Sequence, residues 1–273
     1  MVYVINMLRN NLDFGEYKKV SLVILVKIDR ICRDNGINYF LFAGTLLGAV
    51  RHKGYIPWDD DIDICLMRED YDRLAKIIQN GDYGLNFIRI EENADAIHPY
   101  GKICDVNTKL VEKHFKTIKG YGAFVDVFPL DYLPESDAKL EKLLKKYYNK
   151  LRIVIHSARE SYSTTGSKTA NFKKAVAFYL TRLVNTHKLV KKINDKAKSL
   201  NKVKTSRVGY LCCKTASLLE DYSQTSEVEF EGYKFFAPKD PDRVLKAHFG
   251  DYMKLPPEDQ RIPNHQLECY FLD

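Results

Sequence analysis

The chain has no Cys-x-x-Cys pair and no cysteine–histidine spacing of the structural-zinc kind among its six cysteines (32, 65, 104, 212, 213 and 269). A zinc-stapled module is thereby excluded, and most of these cysteines lie among apolar neighbours, as reduced core thiols do. Long hydrophobic runs are missing too. The longest near the N-terminus, residues 20–28, contains Lys27 and falls well short of the roughly 20 residues needed to cross a bilayer. Residues 1–8 are too few for the apolar region of a secretory leader and lack its basic start and small-residue cleavage site, so a cytoplasmic location is expected. No internal repeat occurs, low complexity is limited to one basic stretch, and tryptophan is found once, at position 58. What remains is 273 residues, 45% of them hydrophobic, enough for one large domain or a domain with a substantial insertion.

The formal charge of +7 is unevenly spread: residues 139–207 hold 19 Lys/Arg against 3 Asp/Glu, a balance of +16 that leaves the rest near −9. Such asymmetry suggests two jobs, an acidic part open to metals and a basic part facing a polyanion or an anionic membrane. The acidic part has its focus at Trp58-Asp59-Asp60-Asp61-Ile62-Asp63-Ile64, which runs on into Cys65, Leu66 and Met67. Read as a strand, this stretch projects Asp61 and Asp63 from one face and Ile62 and Ile64 from the other. Two adjacent carboxylates in a half-buried position repel each other and lose hydration unless a cation compensates them. Asp126 repeats the anomaly within Phe124-Val125-Asp126-Val127-Phe128. Three carboxylates on neighbouring strands suit Mg²⁺ or Mn²⁺ better than zinc, because every ligand is oxygen.

Gly44-Thr45, at a helix start, would bring backbone N–H groups close to a phosphate, and Arg51, Lys53 and Lys102 are the nearby cations that would partner it. Trp58 would wall the pocket or pack beneath the acidic loop. Asp59 and Asp60 read as solvated turn or strand-entry residues, Asp131 as an organiser of the loop after Pro129, and His52, His98 and His265 as loop or surface histidines.

Along the chain, apolar spacing predicts a helix over 16–35 stopped by Gly36, a strand over 37–43, a short helix after Gly44 and a loop through 52–57. After the carboxylate strand come a helix over 68–79 and strands over 85–90, 101–111 and 123–128. Two helical stripes follow, one from Leu140 to Ala158 and one starting at Phe172, separated by a Ser/Thr/Gly-rich loop over 161–171. A hairpin over 227–238 turns at Glu231-Gly232, a short helix over 240–249 ends at Gly250, and a Pro-rich tail closes the chain. The expected class is α+β, a mixed sheet with flanking helices.

The residues from Phe42 through Gly44-Thr45 and Arg51-His52-Lys53 to Asp61-Ile62-Asp63-Ile64 resemble the LicD family. So do Asp126-Val127-Phe128-Pro129-Leu130-Asp131 and Phe249-Gly250-Asp251-Tyr252-Met253-Lys254-Leu255-Pro256-Pro257. Gly44-Thr45, Asp61-x-Asp63 and a later Asp126 also match the wider nucleotidyltransferase-fold pattern of polymerase-β-like enzymes. The blocks span about residues 20–260; the basic helices between 139 and 207 carry no motif of the family.

The resemblance implies a single nucleotidyltransferase-like domain over 1–273, with its core at 16–135 and 208–260 and a basic helical insertion at about 136–207. It implies transfer of phosphocholine from CDP-choline to a sugar hydroxyl of a bacterial surface-glycan precursor, teichoic acid, capsule or lipopolysaccharide, with release of CMP. Asp61, Asp63 and Asp126 would then hold Mg²⁺ or Mn²⁺, and Asp126 could also orient or deprotonate the acceptor hydroxyl. A choline headgroup would favour an aromatic box, for which Tyr55, Trp58, Tyr100, Tyr121 and Tyr132 are available.

Fukutin-type proteins, similar in the first block, use CDP-ribitol, so glycerol or ribitol phosphate transfer and true nucleotidyl transfer stand as alternatives. A polyanion-binding scaffold is the alternative outside enzymes, although it has no need of three unfavourable carboxylates. The basic helices are expected to touch the inner face of the membrane or a lipid-linked acceptor. Nucleic acid would meet the same charge, but no reading motif and no aromatic-interleaved basic strand is present.

Overall fold

In the computed structural model, residues 11–161, 167–261 and 267–272 are described; the expectations for residues 1–8, for the middle of the 161–171 loop and for His265 fall outside them. The first helix, α1 (Phe14–Asp34), begins where the sequence supplies a capping box: Asp13 accepts from the Glu16 N–H at 2.7 Å and Glu16 accepts from the Asp13 N–H at 2.9 Å. Its buried stripe of Tyr17, Ile24, Leu25, Ile28 and Ile31 packs on the sheet. There follow β1 (Tyr39–Leu41), α2 (Ala43–His52), β2 (Asp63–Met67), α3 (Arg68–Asn80), β3 (Leu85–Ile88), β4 (Gly101–Asp105), β5 (Thr108–Glu112) and β6 (Phe124–Leu133). Next come α4 (Asp137–Ala158), α5 (Lys168–Thr181), α6 (Thr186–Leu200), β7 (Arg207–Gly209), β8 (Ser217–Leu218), β9 (Thr225–Phe230), β10 (Tyr233–Pro238), α7 (Pro241–Phe249) and β11 (Leu267–Phe271).

The main sheet runs β1-β2-β6-β4-β3, with β7 and then β8 continuing beside the far half of β6. Its centre is the parallel pair β2–β6, and its other pairings are antiparallel. This is the mixed sheet with flanking helices that the sequence predicts. All six cysteines are unpaired, and five are buried. No helix among the described residues is long and apolar enough to cross a membrane.

Three departures from the sequence reading have local causes. Strand β6 runs through Pro129 instead of stopping at Phe128. The Asp126 N–H bonds the Ile62 carbonyl at 2.8 Å on the β2 side, so Pro129, three residues on, turns its missing donor to the other side. There the partner changes from β4, last paired at Val127, to β7, first paired at Asp131, and no ladder bond is forfeited. The expected strand over 101–111 breaks in two because Asp105 accepts from the Asn107 N–H at 2.7 Å and forms a turn; β5 then leaves to pair with β11. Helix α6 was not foreseen, its Val190, Ile193 and Ala197 stripe being masked by lysines.

Asp131 is fully buried on β6, where Arg68 holds it through two bonds of 2.9 and 2.8 Å and Asn201, just past α6, adds a third. It thus fastens the end of α6 and the start of α3 to the sheet, a larger task than ordering a loop. Arg68→Met is expected to destabilise the fold by about 3–5 kcal/mol by leaving that carboxylate unpaired, and Arg68→Met with Asp131→Leu to recover most of the loss. Urea unfolding of the two variants checks this; equal stabilities would refute it.

Candidate active site

The carboxylates meet where three strands lie side by side. Parallel register pairs Asp63 of β2 with Asp126 of β6, and antiparallel register pairs Asp126 with Lys102 of β4. One lateral row therefore reads Asp63, Asp126, Lys102, with all three buried. Lys102 Nζ lies 2.6 Å from Asp126 Oδ1 and 3.5 Å from the centre of the Phe124 ring.

Asp61 stands in the loop before β2, not in the strand as its alternation suggested, yet it joins the same group. Ligand oxygens of Asp61, Asp63 and Asp126 all lie within 4.8 Å of one another, as do those of Asp59, Asp60 and Asp61. Asp60, expected to be solvated, is 2% exposed. Asp60 and Asp63 are drawn inward while Asp59 and Asp61 stay half-exposed, and Asp61 belongs to two overlapping trios.

The fold pins these side chains through the backbone. The Asp63 N–H donates to Thr45 Oγ1 at 2.7 Å, and its carbonyl accepts from the Phe42 N–H at 2.9 Å. Thr45, read as a phosphate contact, is buried and fastens the first turn of α2 to the carboxylate strand. At Gly44 a Cβ would sit 2.7 Å from Asp59 Oδ2, so only glycine lets that carboxylate close on the start of α2. Ala43 holds φ 44° there, a strained value for a residue with a Cβ and one that clusters at functional sites.

The remaining predicted residues are spread around this centre. Lys102 is a buried partner of Asp126 and not a free phosphate contact. Arg51 is committed to the Tyr252 carbonyl at 2.6 Å and to His52 Nε2 at 2.9 Å, so it braces the C-terminal segment. Lys53 ends α2 at φ 61° with an exposed side chain, and its carbonyl accepts from the Glu231 N–H at 2.9 Å. Glu231 also accepts from the Tyr55 N–H at 3.0 Å, so the β9–β10 turn clamps the loop that leads to Trp58 and the carboxylates. Trp58 is half-buried, edge-on to His52 at 6.5 Å and under Arg261 at 5.6 Å.

Among the aromatics, Tyr55 is held by the Lys18 carbonyl at 2.9 Å and by Phe230, and Tyr121 is buried against Phe124. Tyr100 stacks at 4.5 Å on Phe128, which shares a strand face with Asp126, and meets Tyr210 edge-on at 5.9 Å. Tyr210 was not singled out in the sequence, since nothing near it in the chain is acidic.

Burial, and after it the charges of Asp61, Asp126 and Asp59, hold the Asp63 carboxyl well above the usual carboxylate range, while Lys102 offsets part of the effect. An all-oxygen donor set that crowds and desolvates its own charge fits a hard divalent cation. The sign of the linkage follows. The folded pKa exceeds the unfolded value of about 3.9, so above that pH the folded state retains a proton that the unfolded state has lost, and stability falls as pH rises. Metal-free protein should therefore lose thermal stability as pH rises above about 4. Asp63→Asn should flatten that loss and raise Tm at the alkaline end, and scanning fluorimetry across pH would contradict this by showing an unchanged slope.

Comparison with known proteins bears on the same segments. A family described as LicD/FKTN/FKRP, nucleotidyltransferase domain, matches residues 36–151. Lipopolysaccharide cholinephosphotransferase LicD of Haemophilus influenzae is 30% identical over 280 residues, covering 96% of this chain and 99% of that protein. A Rickettsia prowazekii protein is 48% identical over 62 residues, 22% of this chain and 23% of its own. Human ribitol 5-phosphate transferase FKRP is 51% identical over 35 residues, 13% of this chain and 7% of its own.

Proposed function

We propose that this chain, which belongs to the LicD family, transfers phosphocholine from CDP-choline to a sugar hydroxyl of a cell-surface glycan and releases CMP. The observation that carries the reading is the convergence of Asp61, Asp63 and Asp126 within 4.8 Å, in a chain similar over nearly its whole length to a cholinephosphotransferase. A phosphotransferase of this kind has little covalent work to do, and its site must chiefly position the reactants and neutralise the pyrophosphate.

Asp61, Asp63 and Asp126 would hold Mg²⁺ or Mn²⁺, which would supply positive charge to the phosphate oxygens as the bridge to CMP breaks. The acceptor hydroxyl oxygen attacks the phosphorus that bears choline, the bond from that phosphorus to the CMP oxygen breaks, and the hydroxyl proton passes to a carboxylate. Asp126, whose Oδ1 is bonded by Lys102, would orient the acceptor hydroxyl or receive its proton. Thr45 keeps Asp63 in register throughout, and exposed Lys53 is free to meet a phosphate of the donor. The aromatic cluster of Tyr100, Phe128 and Tyr210, beside Asp126, would favour a quaternary ammonium as the transferred headgroup. Because the helical segment leaves the sheet after β6 and returns at β7, which pairs with β6, we read residues 136–207 as an insertion into one domain. A lipid-linked acceptor would fit the basic charge of that insertion.

Incubation with CDP-choline, Mg²⁺ and candidate glycans should yield CMP and labelled glycan, and Asp61→Asn or Asp126→Asn should lower the rate by at least about 10³-fold. Absence of both products from wild-type enzyme over a broad acceptor panel would overturn the assignment. The short stretch shared with a ribitol 5-phosphate transferase favours a second reading, transfer of another CDP-linked phospho-alcohol. Tyr100→Ala separates the two: KM for CDP-choline should rise roughly tenfold with little change for CDP-ribitol, whereas equal effects on both donors would favour the second reading.

A further inference from the structure

We infer that α5 docks the protein onto an anionic lipid surface, laying an exposed apolar stripe into the boundary between headgroups and acyl chains. This helix has no buried residue. Phe172, Tyr179 and Leu180 are 70%, 68% and 62% exposed, Val176 is 41% exposed, and Leu183 in the following turn is 86% exposed. At 3.6 residues per turn these five positions fall on one stripe about 100° wide. A stripe of that kind ordinarily faces a core, and here it faces outward. The opposite side, with Ala170, Lys174 and Phe178, is only half-exposed, and α5 lies against α4.

Charge selects the occupant. On the helical wheel, exposed Lys168 and Arg182 flank the stripe on one side and exposed Lys173 on the other, and no Asp or Glu occurs between residues 161 and 194. Long cationic side chains beside an apolar stripe can reach phosphate headgroups while their stems stay with the apolar atoms. A second copy seated on α5 would set these cations against identical ones within a segment whose balance is +16 over residues 139–207, whereas an anionic leaflet neutralises them. Tyr179, with an apolar ring and a polar tip, is the kind of residue enriched at that depth. The inference is independent of the transferase reading, since binding is measured with no donor or acceptor present.

The test is sedimentation of the full chain with vesicles of phosphatidylcholine alone and of phosphatidylcholine mixed with phosphatidylglycerol. Wild-type protein should bind the mixed vesicles at least roughly tenfold better than the neutral ones, and less well in high salt. Combined Phe172→Ser, Leu180→Ser and Leu183→Ser should lose at least about tenfold of that binding with Tm unchanged. Three results would overturn the proposal: no binding to mixed vesicles, binding unaffected by the serine variant, or loss only on reversing Lys168, Lys173 and Arg182, which would mean surface charge without insertion. Self-association in sedimentation velocity that the serine variant abolishes, without vesicle binding, would assign the stripe to a second copy instead.

Discussion

The hydrogen bonding of β6 to β2 on one side and to β4 on the other is the constraint on which the site depends. Parallel register sets Asp63 beside Asp126, and antiparallel register sets Lys102 beyond it, so three charges occupy one row of the sheet. A slip of one residue in either pairing would turn the charged side chain it sets, Asp63 or Lys102, to the opposite face. The apolar neighbours Ile62, Ile64, Val125 and Val127, all fully buried, fix that register by the burial they would lose. Hydrophobic packing therefore determines where the charges stand, although it contributes nothing to their chemistry.

Lys102 makes this arrangement tolerable. Three carboxylates and one ammonium leave an excess of negative charge in a largely buried place; burial, and after it that excess, raises the Asp63 carboxyl. The same imbalance would favour a divalent cation. A site fully neutralised by lysines would be more stable and would have no further use for a metal.

Much of this was legible in the sequence, for definite reasons. The alternation around Asp126 and the Asp-x-Asp spacing mark carboxylates placed against an apolar pattern, and the Glu231-Gly232 turn announces its hairpin through Gly232, which takes φ 79° freely while Glu231 accepts 51° despite its Cβ. Long-range compensation was not legible. Lys102 read as a phosphate partner because nothing near it in the chain shows that β4 lies beside β6, and Asp60 read as solvated because a run of acids usually is. Thr45 and Arg51 read as phosphate contacts, but their bonds run to Asp63 and Tyr252 and carry structural duty.

The β9–β10 turn grips the loop after α2 from far along the chain: Glu231 bonds both Lys53 and Tyr55, and Arg51 bonds Tyr252. During synthesis the acidic loop emerges from the ribosome well before either of these partners. Until they follow, α2 and the carboxylate loop lack their clamp, so the acidic centre should be among the last parts of the chain to mature. A nascent chain would thus carry the acidic run in a hydrated, open loop, and would close it against the sheet only once its C-terminal third is in place.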